Sequence, residues 1–288
     1  MRSARELGPN DLILCSGTLL GHGLLGLVKA AVAGGYSGIT LWPQDLESGR
    51  AEGLSDSEMR ALVEDHGLVV ADLDPLLGWT PQALPGPGEA QITLAPEEEF
   101  YAMAELFGAR SLNVAQGFGA ELDLDRAAED LAGVCDRAAD HGLLITIEFL
   151  PWSGIPTIDV AWDLVGRVGR PNASVMFDTW HWFRGGADLD LLRRLPGQAI
   201  GSIQLNDAPV RGPEDLVIES MQARLMPGAG SIPLVPVLQT LDEIGVSAPI
   251  GVEVFSARHA SLSAEEIGRE SARAARSVLD AARGAAVT

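Results

Sequence analysis

Residues 143–178 read LLITIEFLPWSGIPTIDVAWDLVGRVGRPNASVMFD, in which two aliphatic runs flank a segment with helical periodicity. The runs Leu143–Phe149 and Ser174–Phe177 are typical of buried strands, and Ile158–Val168 is typical of an intervening helix. Two buried strands joined by a helix predict a βαβ unit, whose strands run parallel.

The same alternation extends in both directions from this unit. Further strands are predicted at Leu12–Cys15, Ser37–Leu41, Leu68–Leu73, Ala109–Val114, Ile200–Leu205 and Ile250–Val254. Further helices are predicted at Leu24–Ala33, Ser55–His66, Pro96–Phe107, Asp125–Asp140, Asp188–Leu195, Pro233–Ile244 and Ser263–Ala282. Eight strands alternating with eight helices predict an α/β fold, a single (β/α)8 TIM barrel spanning residues 1–288. A doubly wound open sheet is the alternative.

Composition and charge limit the kinds of molecule that this protein is expected to bind. The chain is 47% hydrophobic and 21% charged, as in a globular protein, and its formal net charge is −20. This charge would repel a phosphate backbone or an anionic membrane surface, so neither a nucleic acid nor a membrane is an expected partner. The apolar stretch 12–33 is interrupted by polar residues and glycines, which argues against a membrane span. We therefore expect a cytoplasmic protein, and a homo-oligomer is left open.

The scarcity of lysine and cysteine argues against two kinds of chemistry. Lys29 is the only lysine among twenty basic residues and lies in a predicted helix, which argues against a Schiff-base mechanism. Cys15 and Cys135 are too few to build a cysteine-based zinc site.

Four successive strands end in an oxygen-bearing side chain: Glu148, Asp178, Gln204 and Glu253. Active sites of such barrels lie at the carboxyl ends of the strands. Each residue alone is more typical of a rim ion pair or a helix cap, but three converging carboxylates would repel one another unless a cation were bound. Together they predict a divalent-metal site. Its hard oxygen donors suit Mn²⁺ or Mg²⁺, with Co²⁺ as a third candidate.

Several motifs resemble the xylose isomerase-like TIM-barrel superfamily, which includes ketose 3-epimerases, inosose isomerases and dehydratases, and 3-dehydroshikimate dehydratases. They are Ile147-Glu148-Phe149, Phe177-Asp178-x-x-His181, Gln204-Leu205-x-Asp207, Arg224-x-x-Pro227-Gly228-x-Gly230 and Val252-Glu253-Val254-Phe255. The resemblance implies that the same four residues bind the metal and that His181 and Arg224 contact substrate oxygens. It also implies that Glu148 and Glu253 lie on opposite faces of the substrate and act as catalytic base and acid.

The activity that this resemblance implies is isomerisation or epimerisation of a keto-sugar or related small polyhydroxy ketone, through a metal-stabilised enediolate. Gln204 stands where many epimerases have histidine, and dehydratase members also have glutamine there. A metal-dependent dehydratase of the inosose or 3-dehydroshikimate type is therefore the alternative. A non-catalytic metal- or sugar-binding protein is a third reading, against which the presence of both Glu148 and Glu253 argues.

Two further features concern the mouth of the barrel. The segment Asp207–Gly230 is predicted to be a long loop that carries Arg211 and Arg224 and closes over the substrate. Its glycine-rich end looks like a phosphate-binding turn but lacks the Gly-Lys-Ser/Thr ending of a P-loop. Five tryptophans fall near predicted strand ends and fit either rim packing or an aromatic wall: Trp42, Trp79, Trp152, Trp180 and Trp182.

Overall fold

The computed structural model describes residues 3–84, 94–119 and 121–284. Its strands form one closed parallel barrel in chain order, with the first strand paired to the last. This closure confirms the predicted (β/α)8 barrel and excludes the open sheet. The strands are β1 Leu12–Leu14, β2 Gly38–Leu41, β3 Val69–Leu76, β4 Ser111–Ala115, β5 Leu144–Glu148, β6 Ala173–Asp178, β7 Ile200–Leu205 and β8 Ile250–Val252.

The strands are covered on both sides, and this explains their sequence. Every residue of β1, β2, β4, β7 and β8 is buried. A parallel strand that packs inside the barrel on one face and under helices on the other reads as a continuous apolar run rather than an alternating one. Polar side chains in these strands are therefore exceptions.

The helices outside the barrel follow the predicted positions closely, and several begin at predicted caps. Ser263 and Glu266 form a capping box at the start of the last helix, and Ser55 and Glu58 do so earlier in the chain. The bounds are α1 Gly23–Gly34, α2 Pro43–Ala51, α3 Asp56–Asp65, α4 Glu97–Phe107, α5 Leu124–Asp140, α6 Ile158–Val168, α7 Thr179–Arg184, α8 Leu189–Arg194, α9 Leu216–Gln222, α10 Leu234–Glu243 and α11 Ala264–Arg283.

Three short helices depart from the strict alternation expected from the sequence. Helices α2 and α7 were not predicted, and α9 lies within the segment predicted to be a long loop. Each is held by side chains from elsewhere in the barrel: the Ser16 hydroxyl donates to Asp45 of α2 at 2.7 Å, and an ion pair between Arg184 and Glu219 joins α7 to α9. Such tertiary support leaves little trace in local periodicity.

Two smaller findings bear on the expectations from composition. Within the described ranges, none of the helices combines the length and the hydropathy that a bilayer span requires. Both cysteines are buried free thiols. That residues 1–288 as a whole form one domain stays a prediction.

Candidate active site

The carboxyl ends of the strands surround a cavity of about 400 Å³. Of the six residues that the sequence singled out, five line this cavity: Glu148, His181, Gln204, Arg224 and Glu253. The sixth, Asp178, lies directly behind them at the end of β6 and contacts Arg224. All six are buried, and Glu148 is the most accessible at 8% exposure. The fold thus brings all the predicted site residues together.

Arg224 lies at the centre of the cluster and neutralises part of its negative charge. Its Nη1 donates to Asp178 Oδ2 at 2.8 Å and to Glu253 Oε2 at 3.2 Å. Its Nε and Nη2 donate to the backbone oxygen and the hydroxyl of Ser220, at 2.9 and 2.8 Å. One guanidinium therefore links two predicted metal ligands and is itself fixed in orientation from α9.

His181 lies between Arg224 and Glu148. Its Nε2 is 3.2 Å from Glu148 Oε1 and 3.2 Å from Arg224 Nη2, and its Nδ1 is buried without a hydrogen-bond partner among the described residues. Ligand atoms of Glu148, Asp178 and His181 all lie within 4.8 Å of one another, a spacing that a metal ion can bridge. The geometry thus adds an imidazole nitrogen to the oxygen donors expected from the sequence.

Gln204 and Glu253 form the other side of the cluster. The amide nitrogen Nε2 of Gln204 donates to Glu253 Oε1 at 3.2 Å, which fixes the carboxamide. Its carbonyl oxygen Oε1 is buried and has no hydrogen-bond partner in the part of the chain that the structure describes. A buried carbonyl oxygen without a partner is uncommon, and it leaves a neutral oxygen donor available for a ligand.

Electrostatics in the cavity are dominated by carboxyl groups. Burial raises the pKa of Glu253 well above its ordinary value; the charge of Arg224 lowers this pKa, and the charges of Asp74, Glu148 and Asp178 raise it. The pKa of Asp74 is also raised well above its ordinary value, by burial first and then by Asp72 and Glu148. Carboxyl groups in excess of cations in such a site must hold protons or bind a cation.

The residues that hydrogen-bond to the acidic side chains were harder to predict from the sequence than the acidic residues themselves. Asn113 donates to Glu148 Oε2 at 2.8 Å, and Asn206 donates to Asp178 Oδ2 at 2.7 Å. The sequence had assigned no role to Asn113, Asn206 or Ser220. The available signal for Asn206 was its spacing, because it lies two residues after Gln204 and strand side chains alternate in direction.

The sequence left open whether the tryptophans pack at the barrel rim or form an aromatic wall of the cavity, and the structure shows examples of both. Trp42 and Trp152 line the cavity and form part of its wall. The others are buried packing residues, and the Trp79 indole nitrogen donates to the Ala115 carbonyl at 3.0 Å. Trp152 packs edge-on against Trp180 and His181, with ring centroids 6.2 and 5.6 Å apart.

The chain is similar to proteins of several named activities. An inosose isomerase of Bacillus velezensis is 33% identical over 144 residues, which are 49% of this chain and 50% of that protein. A 3-dehydroshikimate dehydratase of Pseudomonas aeruginosa is 29% identical over 232 residues, which are 80% of this chain and 36% of that protein. These matches thus span half or less of each relative's length.

The fold is shared with solved structures at lower sequence identity. A crystal structure of the IOLI protein with a bound zinc atom superimposes with a TM-score of 0.80 and 21% identity, over 94% of this chain and 98% of that one. Residues 28–279 match the family model described as xylose isomerase-like TIM barrel. This match, the closed barrel and the motifs at the strand ends show that the chain belongs to the xylose isomerase-like TIM-barrel family.

Proposed function

We propose that this chain is a divalent-metal-dependent isomerase or epimerase that acts on a neutral polyhydroxy ketone. The observation that carries the proposal is the excess of buried carboxyl groups around one cavity. Glu148, Asp178 and Glu253 are each less than 10% exposed. Arg224 is the only arginine or lysine that forms an ion pair with them among the described residues.

The donor set fits a divalent cation. Glu148, Asp178 and Glu253 offer carboxylate oxygens, and Gln204 Oε1 offers a carbonyl oxygen that has no other partner in the described ranges. We propose that these four residues hold Mn²⁺ or Mg²⁺, which prefer oxygen ligands. The nearby imidazole of His181 would also suit a softer ion, and a structural neighbour carries zinc. When bound, the cation would supply polarisation of the substrate carbonyl, which acidifies the adjacent C–H bond.

The two glutamates are placed to move that proton. Glu148 ends β5 and Glu253 follows β8, so two intervening strands separate them around the barrel. We assign one of the pair to remove the proton from the carbon next to the carbonyl. The other returns a proton to the opposite face or to the neighbouring carbon. Asn113 orients Glu148 and Gln204 orients Glu253.

His181 and Arg224 complete the proposed mechanism as substrate-binding residues. Contacts with Asp178, Glu253, Ser220 and His181 engage all five N–H groups of the guanidinium. Binding of a cation by Glu253 would release one N–H of Nη1, which could then donate to a substrate oxygen that gains negative charge. Nε2 of His181 lies 3.2 Å from Glu148 Oε1, whereas its buried Nδ1 has no partner among the described residues and would be the atom available to a substrate oxygen.

The charge of the cavity favours a neutral substrate. Asp74, Glu148, Asp178 and Glu253 face a single guanidinium, that of Arg224, so a divalent cation that displaced the protons of these carboxyl groups would not make the site positive. An anionic substrate would meet unfavourable electrostatics. The walls are largely apolar and include Trp42, Leu77, Phe100, Trp152 and Phe255, which suits the C–H face of a carbon ring.

A dehydratase is the second candidate, and one observation favours it. The similarity to the Pseudomonas aeruginosa 3-dehydroshikimate dehydratase spans 80% of this chain, whereas the similarity to the inosose isomerase spans 49%. Proton removal next to the carbonyl is common to both reactions; in the dehydratase the electron pair then expels a β-hydroxyl group.

The test is hydrogen exchange in D₂O with an inosose, D-fructose and 3-dehydroshikimate, using protein loaded separately with Mn²⁺, Mg²⁺ or Zn²⁺. We expect deuterium at the carbon next to the carbonyl of the inosose, with Mn²⁺ or Mg²⁺. This exchange should be abolished in Glu148→Gln and Glu253→Gln. Glu129→Gln removes the same charge from an exposed position on α5 and is the control.

The possible results separate the candidates. Loss of water from 3-dehydroshikimate without inosose exchange would favour the dehydratase. Absence of exchange with all three ketones, or full activity in Glu253→Gln, would overturn the proposed acid–base pair.

A further inference from the structure

Asp74 lines the cavity but belongs to neither the predicted metal ligands nor the predicted substrate-binding residues. It lies in β3, is 2% exposed, and its Oδ2 has no hydrogen-bond partner in the described part of the chain. Asp72, two residues earlier on the same strand, shows the contrast. Its carboxylate accepts hydrogen bonds from Ser111 and, at 2.9 Å, from Ser202. Both carboxylate oxygens of the inner aspartate accept hydrogen bonds within the fold, whereas Oδ2 of the outer aspartate, at the cavity, has no partner among the described residues.

A hydrogen-bond donor without a partner lies beside this acceptor. Trp42 directly follows β2, the strand next to β3, and its indole Nε1 is buried without a partner among the described residues. The side chains of Trp42 and Thr40 both face Asp74 and lower the pKa of its carboxyl, yet the indole Nε1 and Asp74 Oδ2 do not meet at hydrogen-bonding distance and angle. One wall of the cavity thus presents an acceptor and a donor side by side.

Leaving buried polar groups unpaired is costly, about 1–3 kcal/mol for each group. Native proteins keep few such groups, so each one at a cavity requires a partner, such as a bound ligand or an ordered water. The chemistry of the pair restricts the ligand. With Asp74 ionised, a carbonyl can accept from Trp42 but cannot donate to Asp74, and an ammonium can donate to Asp74 but cannot accept from Trp42. An alcohol hydroxyl does both.

The position of the pair relative to the metal ligands gives it a role. In the closed eight-stranded barrel, β2 lies opposite β6 and β3 lies opposite β7. Asp178 and Gln204 come from β6 and β7, so Trp42 and Asp74 lie on the other side of the cavity from them. A substrate whose ketone is held near the predicted metal ligands would extend a hydroxyl on a more distant carbon toward this wall.

We propose that Asp74 and Trp42 form a subsite for one substrate hydroxyl group that is remote from the reacting ketone. The subsite would make the protein select polyhydroxy compounds over analogues that lack this hydroxyl. The inference rests on the proposed function, because it assumes that a polyhydroxy compound occupies the cavity.

The test measures binding without turnover, by calorimetric titration of Mg²⁺-loaded protein with myo-inositol and with its series of monodeoxy analogues. In the wild type, one analogue should bind about tenfold more weakly than myo-inositol, as expected for about 1.4 kcal/mol of hydrogen bonding. Trp42→Phe keeps the ring and removes the N–H, and Asp74→Asn keeps the shape and removes the charge. Both variants should bind myo-inositol about tenfold more weakly and show no further loss for that analogue.

Controls separate the subsite from other effects. Mg²⁺ affinity, measured in the same titrations, should be equal in the wild type and Trp42→Phe. Asp74→Asn removes a negative charge near Glu148 and Glu253, so this variant is compared at saturating Mg²⁺. Trp152→Phe truncates a tryptophan on another part of the wall, and it should change binding of myo-inositol and of the analogue by the same factor.

The outcomes for the subsite and for the proposed function are distinct. If the variants and the wild type discriminate equally between myo-inositol and every analogue, the pair binds only water and the inference is wrong, even where ketone exchange is observed. If the variants lose discrimination as expected but no ketone undergoes exchange in the wild type, the subsite stands and the proposed reaction fails.

Discussion

At the scale of single residues, Asp45 shows how burial of one carboxyl sets a pH dependence. Its side chain is in the first turn of α2 and is 7% exposed. The carboxyl accepts hydrogen bonds from the Trp42 amide at 2.8 Å and from the Ser16 hydroxyl at 2.7 Å. Burial raises the pKa of Asp45 to about 6, although these two hydrogen bonds lower it. The folded protein therefore holds a proton here that the unfolded chain releases at lower pH.

The sign of the effect on stability follows from linkage. Between about pH 4 and pH 6 the folded state binds more protons at Asp45 than the unfolded state, so the free energy of unfolding falls as pH rises. The loss amounts to about 3 kcal/mol and is complete above the folded pKa. Asp45→Asn should lack it. Urea unfolding of both proteins from pH 4 to pH 7 checks this, because the difference between them isolates one residue. Parallel pH profiles would contradict it.

At the scale of elements, the end of β7 is joined to a turn through Asp207. Its Oδ1 accepts from the amides of Ala208 and Ile232, and its Oδ2 accepts from those of Gly228 and Gly230, all at 2.8–3.0 Å. The glycine-rich turn that looks like a phosphate site is thus occupied by a carboxylate of the chain itself. A Cβ at Gly230 would lie 2.4 Å from Asp207 Oδ1, which explains the glycine.

Asp207→Asn should be strongly destabilising. An amide offers one oxygen, and its NH₂ group would face two backbone N–H donors. The expected loss is about 3–5 kcal/mol, from two charged hydrogen bonds, and the melting temperature should fall by roughly 10 °C. The control is Asp215→Asn, which keeps a good cap on α9 because asparagine caps helices as well as aspartate. Equal melting temperatures for the two variants would show that the turn does not depend on the carboxylate.

The segment between β7 and α10 also places Arg224 in the site. Its two arginines, Arg211 and Arg224, allow a test of whether this segment acts on the substrate. Arg224 is buried among carboxylates, whereas Arg211 is exposed. With saturating metal, Arg224→Ala should lower kcat/KM at least tenfold, about 1.4 kcal/mol of transition-state stabilisation. Arg211→Ala should change it little. Metal affinity should not weaken in Arg224→Ala, because the variant removes a cation from Asp178 and Glu253. Equal kcat/KM values for the two variants would mean that this segment does not act on the substrate.

Whether a strand or helix could be predicted from the sequence depended on the interactions that stabilise it. Strands such as β5 and β7 are buried on both faces, so their aliphatic runs identify them, and their terminal acidic or amide residues follow from barrel geometry. Helix α9 was missed because it inverts the usual pattern: Val217, Ile218 and Met221 are exposed, and Glu219 is buried in an ion pair with Arg184. A helix held by a buried ion pair has no apolar periodicity to find.

At the scale of the whole molecule, the net charge of −20 affects any experiment on metal binding. Self-repulsion destabilises a compact state, so any added cation will stabilise this protein to some degree by screening. A specific site must therefore be distinguished from a diffuse response. The candidate site differs from the surface in that its carboxyl groups are buried, where screening by salt is weak.

Chelation should lower the melting temperature, and Mn²⁺ or Mg²⁺ should restore it. At a metal concentration 100 times the dissociation constant, binding to the folded state alone contributes about 2.7 kcal/mol, which corresponds to roughly 5–10 °C. The comparison is made at constant ionic strength, with sodium salts replacing the divalent salt, so that diffuse screening by the medium is held constant. Differential scanning calorimetry with and without metal checks the shift.

A matched pair of variants then locates the effect. Glu148→Gln and Glu129→Gln each remove one negative charge, the first inside the cavity and the second on the exposed surface of α5. If the site holds the ion, Glu148→Gln should lose most of the metal-induced shift because it loses a charged ligand, whereas Glu129→Gln should keep the full shift. Equal shifts in both variants would mean that cations act on the charge of the molecule as a whole, and the proposed four-residue metal site would then be wrong.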